Sequence, residues 1–449
     1  MRNFQTHFWE LLQKHKDATA LQIVDSEGNT STETFWEWTR RVQRIGVAFY
    51  EQGLEAGERV GLIAPNSRDW LDVAFGVWLA GGVVVPVPPD LDRDTTLACL
   101  GRSGCTWIVV ADEEGYQRIR GQGTGIPDDL RWLLVDWDAD SGTGDVTTLT
   151  QFLEKGRSLV ARGRVDDLAE RIYGMNQQDP ALVLFDDPPG DDPHGVFYTG
   201  TSTAKMIDAL GSSLPFGEDA KPAVLRSFAD PRAFLVAAAS LFEGRGLCLG
   251  DTAGDLRDRL DDVNPTHLVC GSDYLAETTR EWRKKIQDAP EFLQNTAEDE
   301  DGSGSGLGKL LGTIGEQAAE RLFYQPLRKT FGSNLRAILA TGRMLPKDVE
   351  KVLEDSETAV LDVYGHPECG VSHLERPGSQ KPGAVGRPVK GYKCRIDAPD
   401  DEGRGEVLIK SGFLFEDYWD GTGPKTTDEG WLRTGDTGRI ENGRLFLES

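Results

Sequence analysis

The sequence predicts an α/β protein with a β-rich C-terminal region, and three observations carry that prediction. Short, nearly continuous apolar runs such as Arg59-Val-Gly-Leu-Ile-Ala64 and Val83-Val-Val-Pro-Val87 alternate with amphipathic stretches, the pattern of parallel strands covered on both faces. From Gly383 onward the apolar runs become short, alternating and punctuated by glycine, which predicts a small β-barrel or antiparallel sheet. The 449 residues give room for two or three domains with sizeable cores.

The elements follow in order. Thr32 to Gln52 carries Phe35, Trp38, Val42, Ile45 and Phe49 at helical spacing and closes on Gly53. After the strand at 59–64, Ser67 can cap a helix that runs to Ala80 and breaks at Gly81-Gly82. Strands are expected at Val83–Val87, Thr106–Val110 and Leu133–Asp136, then a helical stretch from Val146 to Tyr173 and a buried strand at Ala181–Phe185. Thr203–Leu210 reads as a helix, and alternation continues through Ala233–Phe242, Gly246–Leu249 and His267–Val269. The acidic, glycine-rich run Glu298–Gly308 reads as a disordered surface loop, with helices on either side turning Trp282 and Phe323 inward. Arg336–Ala340 and Ala359–Val363 are strands flanking a helix near Pro346–Leu353. The β-rich segments are Lys393–Asp397, Glu406–Lys410, Trp431–Thr434 and Arg444–Leu447.

A net charge of −25 and a pI near 4.7 argue against nucleic acid or an anionic membrane as partners. Arginine outnumbers lysine about two to one, which fits either a surface kept soluble in high salt or an ordinary acidic cytosolic protein. The six cysteines are scattered without a CxxC pair and read as buried free thiols. No run approaches a membrane span and Met1–His15 lacks a signal-peptide core, so the cytoplasm is the expected compartment.

Three strings bear on chemistry. Tyr364-Gly365-His366-Pro367-Glu368 follows a strand, where a carboxylate is placed for a metal or a substrate; an exposed loop glutamate is the plain alternative. In Gly430-Trp-Leu-Arg-Thr-Gly-Asp436 an aspartate fixed behind a glycine can accept ribose hydroxyls, although such turn aspartates are common. Gly383-Ala-Val-Gly-Arg-Pro388 is a tight turn. Their order and spacing, with Gly405-Glu-Val407 between them, resemble the adenylate-forming superfamily. Arg59–Ser67, Gly81–Pro86 and Asn264-Pro-Thr-His-Leu-Val269 match the same pattern, and Leu335–Gly342 is most similar to long-chain fatty acyl-CoA synthetases.

The resemblance implies two doubly wound, mainly parallel sheets packed as αβαβα layers plus a β-barrel subdomain, with divisions expected at 1–180, 181–382 and 383–449. It implies ATP, Mg²⁺ and CoA as cofactors and a fatty acid or other acyl acid as ligand. Glu368 would be the magnesium carboxylate, Asp436 the ribose acceptor, Tyr364 and Gly365 the adenine flank, and Gly342 part of the adenine and acyl wall.

The departures cluster at the phosphates. The family's Thr-Ser-Gly-Thr-Thr-Gly-x-Pro-Lys-Gly loop falls on Asp186 to Gly195, where only Pro193 and Gly195 survive and His194 stands at the lysine position. Four aspartates repel a polyphosphate and three prolines offer it no N–H. A rival register uses Tyr198-Thr-Gly-Thr-Ser-Thr-Ala-Lys205 as a displaced phosphate loop. Pro367 replaces a threonine, Arg343 is expected to crowd the adenine, and the chain stops where the family's lysine-bearing C-terminal domain would begin. The sequence therefore points to a binding or regulatory pseudoenzyme. An active fatty acid–CoA ligase, or its N-terminal part, is the alternative. A homodimer or a pairing with an active synthetase is a third expectation.

Overall fold

The computed structural model describes residues 14–121, 130–135, 146–176, 178–186, 189–190, 192–250, 253–287, 321, 324–381, 383–419 and 426–448. The acidic run at 298–308, Phe323, and Asp187, Pro188 and Asp191 of the acidic turn lie outside them.

Two sheets carry the fold. The first contains β3 (Arg59–Ile63), β4 (Val83–Pro86), β5 (Cys105–Val110), β6 (Arg131–Leu134), β7 (Val146–Thr148), β8 (Pro180–Leu184) and β9 (Val196–Thr199). A short strand from far down the chain, β19 (Asp417–Tyr418), completes it, giving the order β19, β9, β8, β4, β3, β5, β6, β7. The second sheet begins with β1 (Thr19–Val24) and β2 (Thr30–Thr34). It continues through β10 (Pro222–Val224), β11 (Leu247–Gly250), β12 (His267–Gly271), β13 (Ala337–Thr341), β14 (Val360–His366), β15 (Gly370–Leu374) and β16 (Ala384–Pro388). Its last members are β17 (Tyr392–Asp397), β18 (Gly405–Ser411), β20 (Leu432–Glu441) and β21 (Arg444–Leu447). Its order is β17, β18, β20, β21, β16, β15, β14, β13, β12, β10, β11, β1, β2.

Alternation along the strands sorts side chains into three cores. In β5, Trp107 and Val109 face the large central core while Ile108 and Val110 face an outer one. In β12, Val269 faces the centre while Leu268 and Cys270 face the core on the other side. Helices Arg93–Ser103 and Glu113–Arg120 cover the first sheet's outer face, and helices Ser272–Gln287, Gln325–Thr330 and Lys347–Asp355 cover the second's. Between the sheets lie helices Phe35–Glu51, Arg68–Ala80 and Pro231–Phe242, the last buried almost throughout. This is the expected five-layered αβαβα packing.

Local signals explain the helix ends. Thr34 and Glu37 form a reciprocal capping box, Ser67 accepts from the Trp70 N–H, and Gly81 ends its helix in the left-handed region at φ 85°. The central core encloses the carboxylate of Asp72, which accepts from Trp38 Nε1 at 2.9 Å and pairs with Arg41. Burial pushes its carboxyl up to about 7 against the pull of Arg41.

The expected antiparallel strands are present, and a barrel is not confirmed. β16 pairs with both β15 and β21, so the C-terminal strands extend the second sheet as an antiparallel ribbon, and no pairing among the described residues closes them into a barrel. Strand membership also crosses the expected divisions, because β1 and β2 join the second sheet while β8, β9 and β19 belong to the first. The five cysteines in strands, helices and turns through Cys369 are buried, Cys394 is half-buried, and all six are free thiols. No helix among the described residues is long and apolar enough to cross a membrane.

A paired substitution tests the middle layer. A Cβ on Gly156 would stand 2.1 Å from the Arg44 carbonyl oxygen, whereas one on Gly101, in an exposed helical turn, meets nothing. Chemical denaturation should show Gly156→Ala losing about 1–3 kcal/mol through overpacking, and Gly101→Ala gaining about 0.5–1 kcal/mol of helix propensity.

Candidate functional site

The parallel strands β10, β12, β13 and β14 end on one side of the second sheet, and the loops beyond those ends line a cavity of about 830 Å³. Thr341, Gly342 and Arg343 follow β13; Ser272 and Asp273 follow β12; Arg226, Pro231 and Arg232 follow β10. β14 contributes Asp362 to His366, Asp186 enters from the first sheet, and Asp436, Leu447 and Glu448 come from the C-terminal strands.

Four residues singled out from the sequence meet here. Gly342 sits at φ 96°, a turn open to glycine, with nothing nearer its missing Cβ than Ser272 Oγ at 3.8 Å. Gly365 lets β14 fold back on β15, since a Cβ would lie 1.8 Å from the Gly370 carbonyl oxygen. Tyr364 donates from its hydroxyl to Asp436 Oδ2 at 2.6 Å, and the Asp436 N–H donates to Thr434 Oγ1 at 3.2 Å.

His366, not singled out beforehand, brings Nε2 to 2.7 Å from the same Asp436 Oδ2 and to 3.1 Å from the Tyr364 hydroxyl. Burial works against the charge on Asp436, and the hydrogen bonds from His366 and Tyr364 outweigh it, holding the carboxyl below the usual carboxylate range. Burial, then the neighbouring Asp436, raises the Tyr364 phenol far above its ordinary value, so it is a hydrogen-bond donor at all physiological pH.

Three other candidates lie elsewhere. The Glu368 carboxylate accepts from the Tyr418 hydroxyl at 2.7 Å and is not among the residues lining the cavity. His194 is 38% exposed, lies 3.3 Å from Asp192 Oδ2, and presents an edge to the Tyr418 ring 6.1 Å away. Asp192 is held from its other side by Arg102. Lys205 projects from the exposed face of helix Gly200–Gly211, and two hydroxyls of its proposed phosphate loop are engaged: Thr199 caps that helix and Ser202 donates to Glu416 at 2.8 Å, while the Thr203 hydroxyl is buried without a partner among the described residues. The displaced loop is therefore a strand end and a helix.

Arg343 does not fill the cavity. It is exposed at the mouth. Pro367 directs its carbonyl oxygen to the buried Tyr198 hydroxyl. Sequence reasoning missed Arg226, Asp230, Arg232, Asp362 and His366. For Asp362 the signal was a charge inside the apolar run Ala359–Val363; burial, then Glu350 and Glu375, raises its carboxyl to about 7.

This geometry was compared with known proteins. Residues 8–206 match the family of AMP-binding enzymes. The chain is similar to acyl-CoA synthetases. It is 23% identical over 450 residues to the long-chain-fatty-acid–CoA ligase FadD15 of Mycobacterium bovis, covering 94% of this chain and 70% of the relative. It is 23% identical to a malonate–CoA ligase of Arabidopsis thaliana, covering 87% of this chain and 59% of that one. The N-terminal domain of FACL13 from Mycobacterium tuberculosis superposes with a TM-score of 0.72 at 19% identity, covering 100% of both chains. The anthranilate CoA ligase AuaEII in complex with anthranoyl-AMP superposes with a TM-score of 0.72 at 17% identity, covering 99% of this chain and 77% of that one.

The Asp436 contacts set a pH dependence. Its lowered folded value means that its contribution to stability is present above the ordinary carboxylate range and is lost as pH falls through that lowered value. In His366→Ala, ¹³C NMR should find the Asp436 carboxyl titrating at higher pH than in the parent protein. An unchanged titration would show that His366 does not hold its charge.

Proposed function

We propose that this acyl-CoA synthetase-like protein takes the nucleoside end of a nucleotide and a carboxylic acid in the cavity, with adenylation lost or strongly impaired. In this reading Asp436 accepts ribose hydroxyls in competition with His366, Tyr364 and Gly365 flank the base, and Gly342 gives room beside it. The single observation that carries the loss is the cavity's phosphate end. Asp186 stands in the wall there, in place of hydroxyls and free amides. A carboxylate about 4 Å from a phosphate charge opposes binding by about 4 kcal/mol at an effective dielectric of about 20, roughly a thousandfold in affinity.

The residues that the resemblance assigns to the phosphates do not offset it. Glu368 is engaged with Tyr418, His194 with Asp192, and Lys205 lies on an exposed helix face. These residues do not fit a magnesium triphosphate. CoA belongs to this reading only as the co-substrate of ligase relatives. Regulation of an active synthetase, or of a second copy, is the role such a binding module could serve.

A second reading, an active long-chain fatty acid–CoA ligase or its N-terminal part, is favoured by the cavity itself, which is open at about 830 Å³ despite Arg343 and Pro367. Calorimetry separates the two. Adenosine and AMP should bind, MgATP should bind no more tightly than AMP, and no acyl-adenylate should form from ATP and a fatty acid. MgATP binding tenfold tighter than AMP, with acyl-adenylate release, would establish the ligase instead.

A further inference from the structure

The sugar contact proposed for the cavity falls on one carboxylate, and the way that carboxylate is already held decides which sugars it can grip. Asp436 stands behind Gly435, which turns the chain at φ 80°, and its N–H donates to Thr434 Oγ1 at 3.2 Å. Thr434 Oγ1 in turn donates to the Val407 carbonyl oxygen at 2.9 Å, which fastens the turn to β18.

One of the two carboxylate oxygens is occupied twice. The Tyr364 hydroxyl donates to Asp436 Oδ2 at 2.6 Å, and His366 Nε2 lies 2.7 Å from the same atom. An ionised carboxylate can only accept, so Nε2 carries a hydrogen. Tyr364 has given its one proton to Asp436, so at 3.1 Å it can only accept from that same N–H. Each carboxylate oxygen offers about two acceptor sites, and Oδ2 is therefore filled. Oδ1 has no hydrogen-bond partner among the described residues, and the side chain is 36% exposed.

Both donors are held by packing. Tyr364 is buried, with its ring edge-on to His366 at 5.3 Å and tilted against His373 at 5.6 Å. His366 closes β14, where its carbonyl oxygen accepts the Cys369 N–H at 3.1 Å. A vicinal diol grips a carboxylate by giving one hydroxyl to each oxygen. Here the first hydroxyl finds Oδ1, and the second finds an acceptor only if His366 or Tyr364 gives up a charge-assisted hydrogen bond.

We propose that His366, by filling Asp436 Oδ2, sets the sugar specificity of the cavity, so that Asp436 takes a single sugar hydroxyl and monodeoxyribonucleosides are accepted alongside ribonucleosides. His366 acts through Asp436 and is a positioning residue. The proposal rests on the reading of this cavity as the site of a nucleoside and narrows what is recognised there to the base and one hydroxyl. It asks nothing of the phosphates, so it holds for a pseudoenzyme and for an active ligase alike.

Calorimetry on the full chain would compare adenosine with its 2′-deoxy, 3′-deoxy and 2′,3′-dideoxy analogues. In the parent protein at least one monodeoxy analogue should bind within about fivefold of adenosine, while the dideoxy analogue falls outside that range, since a hydrogen bond to a charged group is worth about tenfold or more. His366→Ala frees an acceptor site on Oδ2, so both monodeoxy analogues should then fall outside it. Tyr364→Phe, which removes the other donor and keeps the ring, gives the same reading if His366→Ala does not fold. ¹⁵N NMR of the ligand-free parent should find His366 protonated on Nε2, and an unprotonated Nε2 would overturn the proposal whatever the variants do. A parent that rejects both monodeoxy analogues while binding adenosine would overturn it and leave the nucleoside reading standing. So would a folded His366→Ala protein with the parental preferences. Equal binding of all four nucleosides, or of none, would remove the nucleoside reading and this proposal together.

Discussion

The architecture depends on helices that have no solvent face. Trp70 to Ala80 and most of Pro231 to Phe242 are buried, so both sheets close on them and the spacing between sheets is set by their side chains. Aromatic contacts tie them together: Trp70 meets Phe234 edge to face, Trp78 packs tilted on the same ring, and Phe75 stacks on Phe242. With that spacing fixed, Asp186 from the first sheet and the loops after β10 to β14 of the second arrive at one cavity. The cavity is a consequence of the packing, and its walls differ because they are drawn from three unrelated parts of the chain.

Electrostatics then divides the cavity into regions with different tasks. At one end Asp436 keeps its charge because His366 and Tyr364 supply donors. Elsewhere beside the cavity, Asp230 keeps its charge because Arg232 and Arg226 overcome the penalty of full burial. Asp362, also in the wall, has no cationic partner among the described residues, and burial, then Glu350 and Glu375, raises its carboxyl to about 7.

Much of this was legible in the sequence, and the misses have physical causes. Continuous apolar runs identified the central strands, and Thr34, Ser67 and Gly81 marked helix ends through local capping that needs no tertiary context. The ordered spacing of Tyr364, Gly383, Gly405 and Asp436 located one end of the cavity. Barrel and open antiparallel sheet could not be separated in the sequence because alternation reports a strand's two faces and not the partner at its edge, and β16 pairs with β15 of the core sheet. Lys205 was weighed as a ligand because its string has phosphate-loop composition; Thr199 instead uses its hydroxyl to start a helix. Arg226 and Arg232 could not be recognised, since their meaning comes from a shared buried Asp230 and from strands brought together across the sheet.

The strand β19 joins two places that the chain order keeps far apart. Asp417 and Tyr418 pair with Phe197 and Val196, and the Trp419 N–H donates to the Gly195 carbonyl oxygen at 2.7 Å, so the base of the acidic turn is stitched to the C-terminal ribbon. The same Tyr418 holds the Glu368 carboxylate, and the Phe415 N–H holds the Glu368 carbonyl. Glu368 cannot swing toward the cavity without releasing Tyr418 and loosening the edge of the first sheet. The Trp419 indole, wedged between Phe197 and the Arg59 guanidinium, would register that release as a change in its fluorescence, which makes one tryptophan a built-in reporter on a carboxylate in another part of the molecule.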